Sequence, residues 1–466
     1  MSYITPQLNT EPVEEASGPA FRRTFALVIA ALVVLVGVFA GLGLTQGPKL
    51  SSAQVDTDGV VAQSGQQLRL FTNQAVAAID ADQLTIVPAV PATVTASGDV
   101  IAVQFDEPLL YNTVYTVEVT GVTSPYVAQP STLSYEFRTG APEMYYLDRG
   151  EGEDQIIRTG ILTTEREIVY TAPRIQDYAV FDNSLAVVTL RDDGSSALAL
   201  VNADGNVEDI RMPGVGTLDL ARSSSTTGYF GFTFTGTDSA GTVYNQTLFV
   251  VNLVNSRVVT PVAGIEGLPI VALGWEFVPT STRIVVHTDD LSVLLIDVAE
   301  EGSVIPLGQF TEFENLSTDG STLVVADPFG PLALSIATGD TQRLNASSFN
   351  GEIPSGGAVT VLPDDRWVQQ VAVFDEESGR FVSAIVVDDG VASKSLFRTL
   401  NDEGSIESFS ISPNNQYVVI ETVPNVATSA SDSYEANGRS TSITTVFVDI
   451  ETGAVVKSLE GFRVSW

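Results

Sequence analysis

Catalytic-triad or zinc chemistry would depend on a single side chain, because His287 is the only histidine in the chain. A Ser-His-Asp triad uses imidazole as its base, and imidazole is also a preferred zinc ligand. His287 follows the apolar residues 284–286 and precedes Asp289 and Asp290, two acids able to orient or charge it. Its place at the end of a predicted strand favours a structural, hydrogen-bonded histidine. The absence of cysteine from the sequence excludes thiol catalysis and zinc–thiolate sites.

Paired carboxylates are the other side chains with catalytic potential. They occur at Asp192-Asp193, Asp364-Asp365 and Asp388-Asp389, and in the segment 151–154. Two opposed carboxyl groups cleave glycosides, and clustered carboxylate oxygens bind Ca²⁺. Asp-Asp-Gly is also a hairpin-turn signal, because Asp and Gly tolerate the backbone angles of tight turns, and we expect turns here. Residues 56–59 are only a fragment of a calcium loop. No cofactor is therefore expected, and Ca²⁺ is the alternative.

Two polar segments are the candidate ligand loops. Residues 422–442 are rich in Ser, Ala and Asn, and residues 233–246 are similar. Long polar hairpin tips held by a rigid scaffold are natural binding loops. The candidate ligand-contacting residues are Tyr244, Asp432, Tyr434 and Asn437. Mobility without a ligand is the alternative interpretation.

Composition restricts the partners. The 466 residues include 57 acids and 22 bases, for a formal net charge of −35. Such a surface repels nucleic acid and anionic lipid headgroups and favours cationic partners. With 44% hydrophobic and 17% charged residues, the chain is able to build large folded cores. Nucleic acid is therefore not an expected partner.

An apolar run near the N-terminus predicts a single membrane span over residues 24–45. Residues 24–44 carry no charge, and 20 or so such residues cross a hydrocarbon core of about 30 Å. Arg22 and Arg23 precede the run, so the positive-inside rule predicts that the tail, 1–23, is cytoplasmic and that the later domains are extracytoplasmic and anchored at the plasma membrane. The tail contains Pro and lacks periodicity, which predicts disorder. A cleaved signal peptide is the alternative, although the run is long and residues 44–46 make a poor cleavage site.

Residues 52–139 predict an Ig-like β-sandwich of about seven strands. Apolar and polar residues alternate over 67–71, 100–105, 115–119 and 133–138, with turns between them. The runs LRLFTNQAV, LTIVPAV, VIAVQFDEPLLYNTVYTVEVTGV and LSYEFRTG resemble the bacterial Ig-like domain of surface-layer proteins. The resemblance implies a spacer or adhesion module and carries over no catalytic residue.

Residues 141–466 repeat one layout of strands and turns. Residues 409–419, 359–368, 313–327 and 273–290 each pair an apolar strand with a polar turn and a second strand. Six repeats start near residues 178, 217, 271, 312, 357 and 406. Their spacing suits four-stranded blades of a β-propeller, whose repeats span about 40–50 residues.

A seventh repeat is divided between the two ends of this region. Residues 144–147, 155–158 and 167–170 supply three strands, and residues 461–466 resemble the first strand of a repeat. That strand would complete the blade, close the ring and remove exposed sheet edges. Seven blades are predicted, with six, eight or an array of β-sandwiches as alternatives.

The turn at residues 412–418, Ser-Pro-Asn-Asn-Gln-Tyr-Val, resembles the Ser-Pro-Asp-Gly turn of WD40-like and TolB-like propeller repeats. The Trp-Asp dipeptide of true WD40 repeats is missing. The resemblance therefore implies a fold and leaves the function open.

The sequence predicts an all-β, membrane-anchored protein of the bacterial cell envelope. Its expected role is extracytoplasmic binding or scaffolding, with the propeller engaging an envelope protein, peptide or glycan. The alternative is an exported carbohydrate-active hydrolase or lyase with carboxylates at the propeller mouth. A binding module predicts an apolar or aromatic patch among the loops, whereas an enzyme predicts several acids with raised pKa at the mouth.

Overall fold

The computed structural model describes residues 19–44, 46–150, 152–181, 184–224, 226–300, 302–349, 354–375, 379–399, 403–434 and 438–466. The chain divides into two compact units that do not follow chain order. The first comprises Met1–Asp56, Gln67–Asp106 and Val114–Phe137, and the second comprises Thr57–Gln66, Glu107–Thr113 and Arg138–Trp466. Two short segments of the predicted 52–139 domain therefore cluster with the second unit.

Helix α1, Pro19–Leu44, is long and apolar enough to cross a membrane. Its window Phe21–Val38 has a mean hydropathy of 2.1, and none of that window is buried inside the protein. The 26 helical residues extend about 39 Å at 1.5 Å per residue, which exceeds a hydrocarbon core of about 30 Å. A membrane anchor and a signal sequence both have these properties.

The described residues of the first unit form seven strands in two sheets. The elements are β1 (Leu50–Gln54), α2 (Gly59–Ala62, in the second unit), β2 (Gln67–Thr72), a 3-10 turn (Ala81–Gln83), β3 (Leu84–Val87), β4 (Ala92–Ser97), β5 (Val100–Phe105), β6 (Val114–Val122) and β7 (Ser131–Arg138). One sheet has the order β1-β2-β5-β4 and the other β3-β6-β7. Phe105 of one sheet lies 6.3 Å from Phe137 of the other, between ring centroids. The strand number is the one that the alternation predicts, and the Ig-like assignment stays a prediction.

The described residues of the second unit form seven four-stranded sheets. The first holds β8 (Glu143–Asp148), β9 (Asp154–Gly160) and β10 (Arg166–Ala172); the second β11 (Ile175–Phe181), β12 (Ser184–Leu190), β13 (Ser196–Val201) and β14 (Val207–Ile210); the third β15 (Val215–Ser223), β16 (Tyr229–Thr237), β17 (Val243–Asn252) and β18 (Val259–Pro261); the fourth β19 (Ala272–Phe277), β20 (Arg283–Thr288), β21 (Ser292–Asp297) and β22 (Val304–Gln309). The fifth holds β23 (Glu312–Leu316), β24 (Thr322–Asp327), β25 (Gly330–Ser335) and β26 (Thr341–Arg343); the sixth β27 (Ser355–Val361), β28 (Trp367–Asp375), β29 (Arg380–Asp388) and β30 (Ser393–Arg398); the seventh β31 (Ser405–Ile411), β32 (Tyr417–Val423), β33 (Thr444–Asp449) and β34 (Val455–Glu460).

The last strand, β35 (Phe462–Ser465), pairs with β8 and completes the first sheet as β10-β9-β8-β35. The six later sheets start within three residues of the repeat starts that the sequence predicts, as at Ser405 for the seventh. The pairing of the C-terminal strand with the N-terminal sheet is also the pairing that the sequence predicts.

One strand of each sheet, here called its leading strand, faces the equivalent strand of the next sheet. The leading strands are β35, β11, β15, β19, β23, β27 and β31, and consecutive strands of this series are in contact. Gln176 of β11 bonds Leu218 of β15. Between β15 and β19, Trp275 bonds the Leu220 carbonyl and Arg222 bonds Glu276, so the bonded positions advance together and the strands run side by side in one direction. Each leading strand carries a register irregularity of the β-bulge kind, which re-aims side chains.

Apolar clusters between neighbouring sheets form the core of this unit. The second and third sheets share Phe230, Phe232 and Phe249, and Trp275 belongs to a cluster shared by the third and fourth. The second strand of a sheet is covered on both faces, which is why β32 is buried at every position and its sequence is almost continuously apolar. Each large side chain buried in this way contributes about 1.5–3 kcal/mol.

Candidate functional site

The seven sheets present one common end, here called the hairpin face. In every sheet, the turn between the second and third strands lies at the end where the leading strand begins. Since the leading strands run side by side, these turns gather on one face of the second unit. The turns between the first and second strands and between the third and fourth strands lie on the opposite face.

An arginine network ties the C-terminal strand to its neighbours. Arg463 of β35 donates from Nε to Asp177 Oδ1 of β11 at 2.8 Å, and from Nη2 to the Ala221 carbonyl of β15 at 2.9 Å. Its own carbonyl accepts from the Tyr178 hydroxyl at 2.6 Å. The side chain of Asp177 is 12% exposed and that of Arg463 is 33% exposed. The network therefore joins three leading strands across a site that water still reaches.

A second arginine meets the first at the same carbonyl. Arg222 donates from Nη1 to the Ala221 carbonyl at 2.9 Å and from Nε to Glu276 at 2.9 Å. The two guanidinium groups are thus neighbours, and each is balanced by its own carboxylate. The ion pairs Arg463–Asp177 and Arg222–Glu276 therefore lie side by side where the leading strands meet.

Among the described residues, two carboxyl groups have a raised pKa. Burial, and secondarily the charge of Glu312, raises the pKa of Glu314 on β23. Burial raises the pKa of Asp154 on β9, although a hydrogen bond from Tyr434 opposes the shift. Glu314 lies on the leading strand of the fifth sheet, and Asp154 lies at the start of the third strand of the first sheet, beneath Tyr434.

The loop between β32 and β33, here called the strap (described residues 424–434 and 438–443), lies on the hairpin face and contains two predicted site residues. Asp432 accepts from Arg149 Nη1 at 2.7 Å, and the two side chains are 11% and 4% exposed. The Tyr434 ring lies under the Arg149 guanidinium at 3.7 Å, and its hydroxyl donates to Asp154. Both predicted residues thus bind the protein itself, and their role toward a ligand stays a prediction.

Further contacts hold the strap across three sheets. Arg439 pairs with Glu421 of the seventh sheet at 3.7 Å and lies over the ring of Phe462 in the first. Arg174, which precedes the second sheet, donates to the Ser433 carbonyl at 3.5 Å. The strap therefore covers one side of the hairpin face. Asn437, also a predicted site residue, lies outside the described residues.

Tyr244, the remaining predicted site residue, stands near the tip of the β16–β17 hairpin. Its ring packs edge-on against Phe249, with centroids 5.3 Å apart, and its hydroxyl donates to Asp238 at 3.3 Å. Asp238 in turn accepts from the backbone N–H groups of Ala240 and Thr242. Tyr244 is therefore part of the structure of the hairpin, and its ligand role stays a prediction.

The acid pairs and the histidine have structural roles. Asp193 accepts from the Ser195 hydroxyl and N–H, which lower the pKa of Asp193. Asp389 accepts from the N–H groups of Val391 and Ala392, which lower its pKa in the same way. These are turn-forming carboxylates, as the Asp-Asp-Gly pattern predicts. His287 is buried, and its Nε2 lies 2.9 Å from the Phe310 carbonyl, as the strand-end interpretation predicts.

Exposed apolar side chains occupy the side of the hairpin face that carries the third to sixth sheets. This apolar rim consists of Val243, Ile265, Leu291, Phe329, Phe374 and Phe381. Val243 and Ile265 belong to the hairpin and to the following linker of the third sheet, and the others lie at hairpin tips of the fourth, fifth and sixth sheets. Phe329 is 88% exposed, and Phe374 and Phe381 pack edge-on at 5.4 Å.

Hydrogen bonds hold two of these tips in fixed shapes. Leu291 has a φ of 67°, an unusual angle for a leucine, and Asp290 accepts from Thr288 and Ser292 around it. Phe329 donates its N–H to Asp327 at 2.8 Å, and Arg343 clamps Asp327 with bonds of 2.8 and 2.6 Å. The Arg343 guanidinium lowers the pKa of Asp327 to about 2, so this clamp persists across the physiological range.

Sequence reasoning missed the rim. The aromatic residue inside the turn Asp327-Pro328-Phe329-Gly330 was the available signal, because turns favour polar residues.

Within the described part of the chain, no group of three His, Cys, Asp or Glu residues is placed to hold a metal ion.

Comparison with known proteins finds similar solved structures at low identity. No protein-family model matches the chain, and no curated protein matches it significantly. Among similar solved structures, the β-propeller domain of the Trilobed protease from Pyrococcus furiosus is 10% identical, with 75% of this chain and 97% of that chain covered and a TM-score of 0.41. A putative TolB from Agrobacterium tumefaciens is 14% identical, with 55% and 86% covered and a TM-score of 0.36. Dihydro-heme d1 dehydrogenase NirN is 14% identical, with 70% and 74% covered and a TM-score of 0.41.

At these identities the likeness concerns the fold alone. Seven consecutive four-stranded sheets with contacting leading strands define the second unit as a β-propeller protein.

Proposed function

We propose that this protein is a membrane-anchored extracytoplasmic binding module that docks a protein partner on the apolar rim. The observation that carries the proposal is the rim itself. Phe329 is 88% exposed and Phe381 is 65% exposed, and both lie at hairpin tips held by a rigid scaffold, where binding residues are concentrated. Aromatic residues are also enriched in the centres of protein–protein interfaces. The exposed rings of Phe329 and Phe381 fit this role.

The strained presentation of Leu291 supports the same role. A non-glycine residue at a positive φ costs about 1–2 kcal/mol, and burial does not offset that cost for an exposed leucine. Strained backbone positions cluster at ligand clamps and other functional sites. Hydrogen bonds already order the turns around Leu291 and Phe329. The side chains of these two residues are therefore presented to a partner with little further loss of backbone entropy on binding.

The remaining parts fit an anchored module. The strand orders β1-β2-β5-β4 and β3-β6-β7 are those of constant-type immunoglobulin domains, and we assign the first unit to an Ig-like spacer on that basis. The propeller has seven blades, with β35 as the closing strand. Helix α1 is an uncleaved anchor whose N-terminus is cytoplasmic, since Arg22 and Arg23 flank that end.

Capture from cross-linked native envelope tests the docking face. The full-length chain carries a C-terminal tag, and retained proteins are identified by mass spectrometry. The double variant Phe329→Ser/Phe381→Ser should lose the partner that the wild type retains. Val391→Ser is the matched control, because Val391 is also 88% exposed but lies on a turn of the opposite face. Equal retention by both variants and the wild type would refute the proposed docking face.

The membrane orientation has a separate test. The chain contains no cysteine, so Tyr126→Cys, at a position 86% exposed in the first unit, introduces a single thiol. A membrane-impermeant maleimide should label this variant in intact cells. Labelling only after lysis would place the first unit in the cytoplasm.

A further inference from the structure

The segments that carry the rim are strongly acidic. The described residues of these segments, 238–244, 262–274, 288–291, 327–330, 374–375 and 379–381, include six acidic residues and one basic residue. Glu266, Asp289 and Glu312 are exposed beside the rim, on the linker before the fourth sheet, on its hairpin and at the start of the fifth sheet. The charge and the apolar side chains therefore occupy the same surface.

We infer that the partner docks through a cationic amphipathic segment, in which Lys or Arg side chains flank an apolar stripe. The inference rests on the proposed docking function of the rim. An apolar surface alone accepts any apolar segment, whereas exposed acids beside it repel acidic segments and attract basic ones. Anionic lipid is excluded as the occupant by the same charge.

Not every acid at this face is available to a partner. Asp327 is neutralised by Arg343, and Asp238 and Asp290 hold their own turns through hydrogen bonds. Glu266, Asp289 and Glu312 are the side chains whose neutralisation leaves those turns intact. They are therefore the positions at which charge recognition is tested without unfolding the face.

The probe is a fluorescein-labelled, 18-residue amphipathic peptide of Leu and Lys, compared with the same peptide carrying Glu at each Lys position. Binding to the full-length chain in phosphatidylcholine nanodiscs is measured by fluorescence anisotropy. The Lys peptide should bind and the Glu peptide should not. The affinity for the Lys peptide should also fall as the salt concentration is raised, because exposed charges are screened over about 8–10 Å.

Two triple variants distinguish recognition by the acids beside the rim from attraction by the net charge of the protein. The triple variant Glu266→Gln/Asp289→Asn/Glu312→Gln should lower the affinity for the Lys peptide about tenfold, since each exposed charge contributes modestly. The control Asp204→Asn/Glu300→Gln/Asp340→Asn removes the same charge from exposed turns of the opposite face and should change the affinity less than twofold.

The outcomes distinguish this inference from the docking proposal. Equal effects of the two triple variants would overturn the inference, because binding would then reflect net charge. Equal binding of the Lys and Glu peptides, lost in Phe329→Ser/Phe381→Ser, would overturn charge recognition and leave the docking face standing. Binding of neither peptide would also overturn the inference. The docking proposal itself fails only if the phenylalanine variant retains the captured envelope partner.

Discussion

Arg463 on the C-terminal strand and Asp177 on the leading strand of the second sheet form an ion pair with an Nε–Oδ1 distance of 2.8 Å. The two residues are 286 positions apart in the sequence. The same guanidinium reaches the Ala221 carbonyl of the third sheet. One side chain on the last strand thus joins three successive sheets at the place where the two ends of the unit meet.

Substitution of this arginine should destabilise the propeller. Arg463→Met leaves Asp177 as an unpaired, mostly buried carboxylate, and we expect a loss of about 2 kcal/mol in the free energy of unfolding. This is less than the 3–5 kcal/mol of a fully buried pair, because one third of Arg463 is exposed. Denaturant unfolding, monitored by tryptophan fluorescence, measures this loss of stability. The fluorescence reports on the second unit, since that unit contains all three tryptophans, Trp275, Trp367 and Trp466.

Arg158→Met is the control for the Arg463 substitution. Arg158 pairs with Glu167 at 2.6 Å, but the two side chains are 36% and 62% exposed. Exposed pairs contribute about 0–1 kcal/mol, so Arg158→Met should unfold close to the wild type. Equal losses in the two variants would mean that the Arg463 network does not hold the C-terminal strand.

The buried carboxyl under the strap should make stability depend on pH. Burial raises the pKa of Asp154 above its ordinary value near 3.8. The folded state therefore binds this proton more tightly than the unfolded state, so the contribution of Asp154 is fully present below 3.8. It is lost as the pH rises from 3.8 through the raised pKa, with a slope of at most about 1.4 kcal/mol per pH unit.

Asp154→Asn removes this titration. The free energy of unfolding of the wild type minus that of Asp154→Asn should fall as the pH rises above about 4 and then level off above the raised pKa. Unfolding curves for both chains between pH 4 and 8 measure the difference. Asp204→Asn, measured alongside, makes the same chemical change at an exposed position. A pH-independent difference for Asp154→Asn would contradict the raised pKa.

Loss of the only histidine should affect stability and leave binding unchanged. His287→Leu removes the hydrogen-bond partner of the half-buried Phe310 carbonyl, which costs about 1 kcal/mol. His287→Gln keeps a side-chain N–H at a similar reach and should lose less. Peptide binding at the rim should be the same in both variants. A loss of binding in His287→Gln at unchanged stability would give the imidazole a functional role.

The repeat architecture could be predicted because its signals are local. A leading strand, a Pro- or Asn-containing turn and a second strand recur in order, and β31 begins at Ser405, next to the predicted start at 406. The second strands are recognisable as apolar runs because both of their faces are covered. The C-terminal strand was predictable for a different reason, since the first sheet otherwise lacked one strand.

The site could not be predicted in the same way. The contact between Tyr434 and Asp154 joins residues 280 positions apart, and no local pattern reports it. The bulge that directs Arg463 toward Asp177 depends on register against β8, which the sequence does not encode locally. Phe329 has the residue type of a core side chain, and only the fold shows that it is exposed.

Close packing around a glycine should make one small substitution costly. A Cβ on Gly231 of β16 would lie 2.5 Å from Trp275 Cη2 and 3.2 Å from the Phe249 carbonyl oxygen. Gly231→Ala should therefore lower the free energy of unfolding by about 1–3 kcal/mol through overpacking. Gly150→Ala is the control, because nothing lies within 4 Å of its Cβ, and it should stay within about 0.5 kcal/mol of the wild type. Tryptophan fluorescence reads both variants, and a shifted emission maximum in Gly231→Ala alone would report the displaced Trp275 ring. Equal stabilities and spectra would show that the third and fourth sheets are less tightly packed than these distances require.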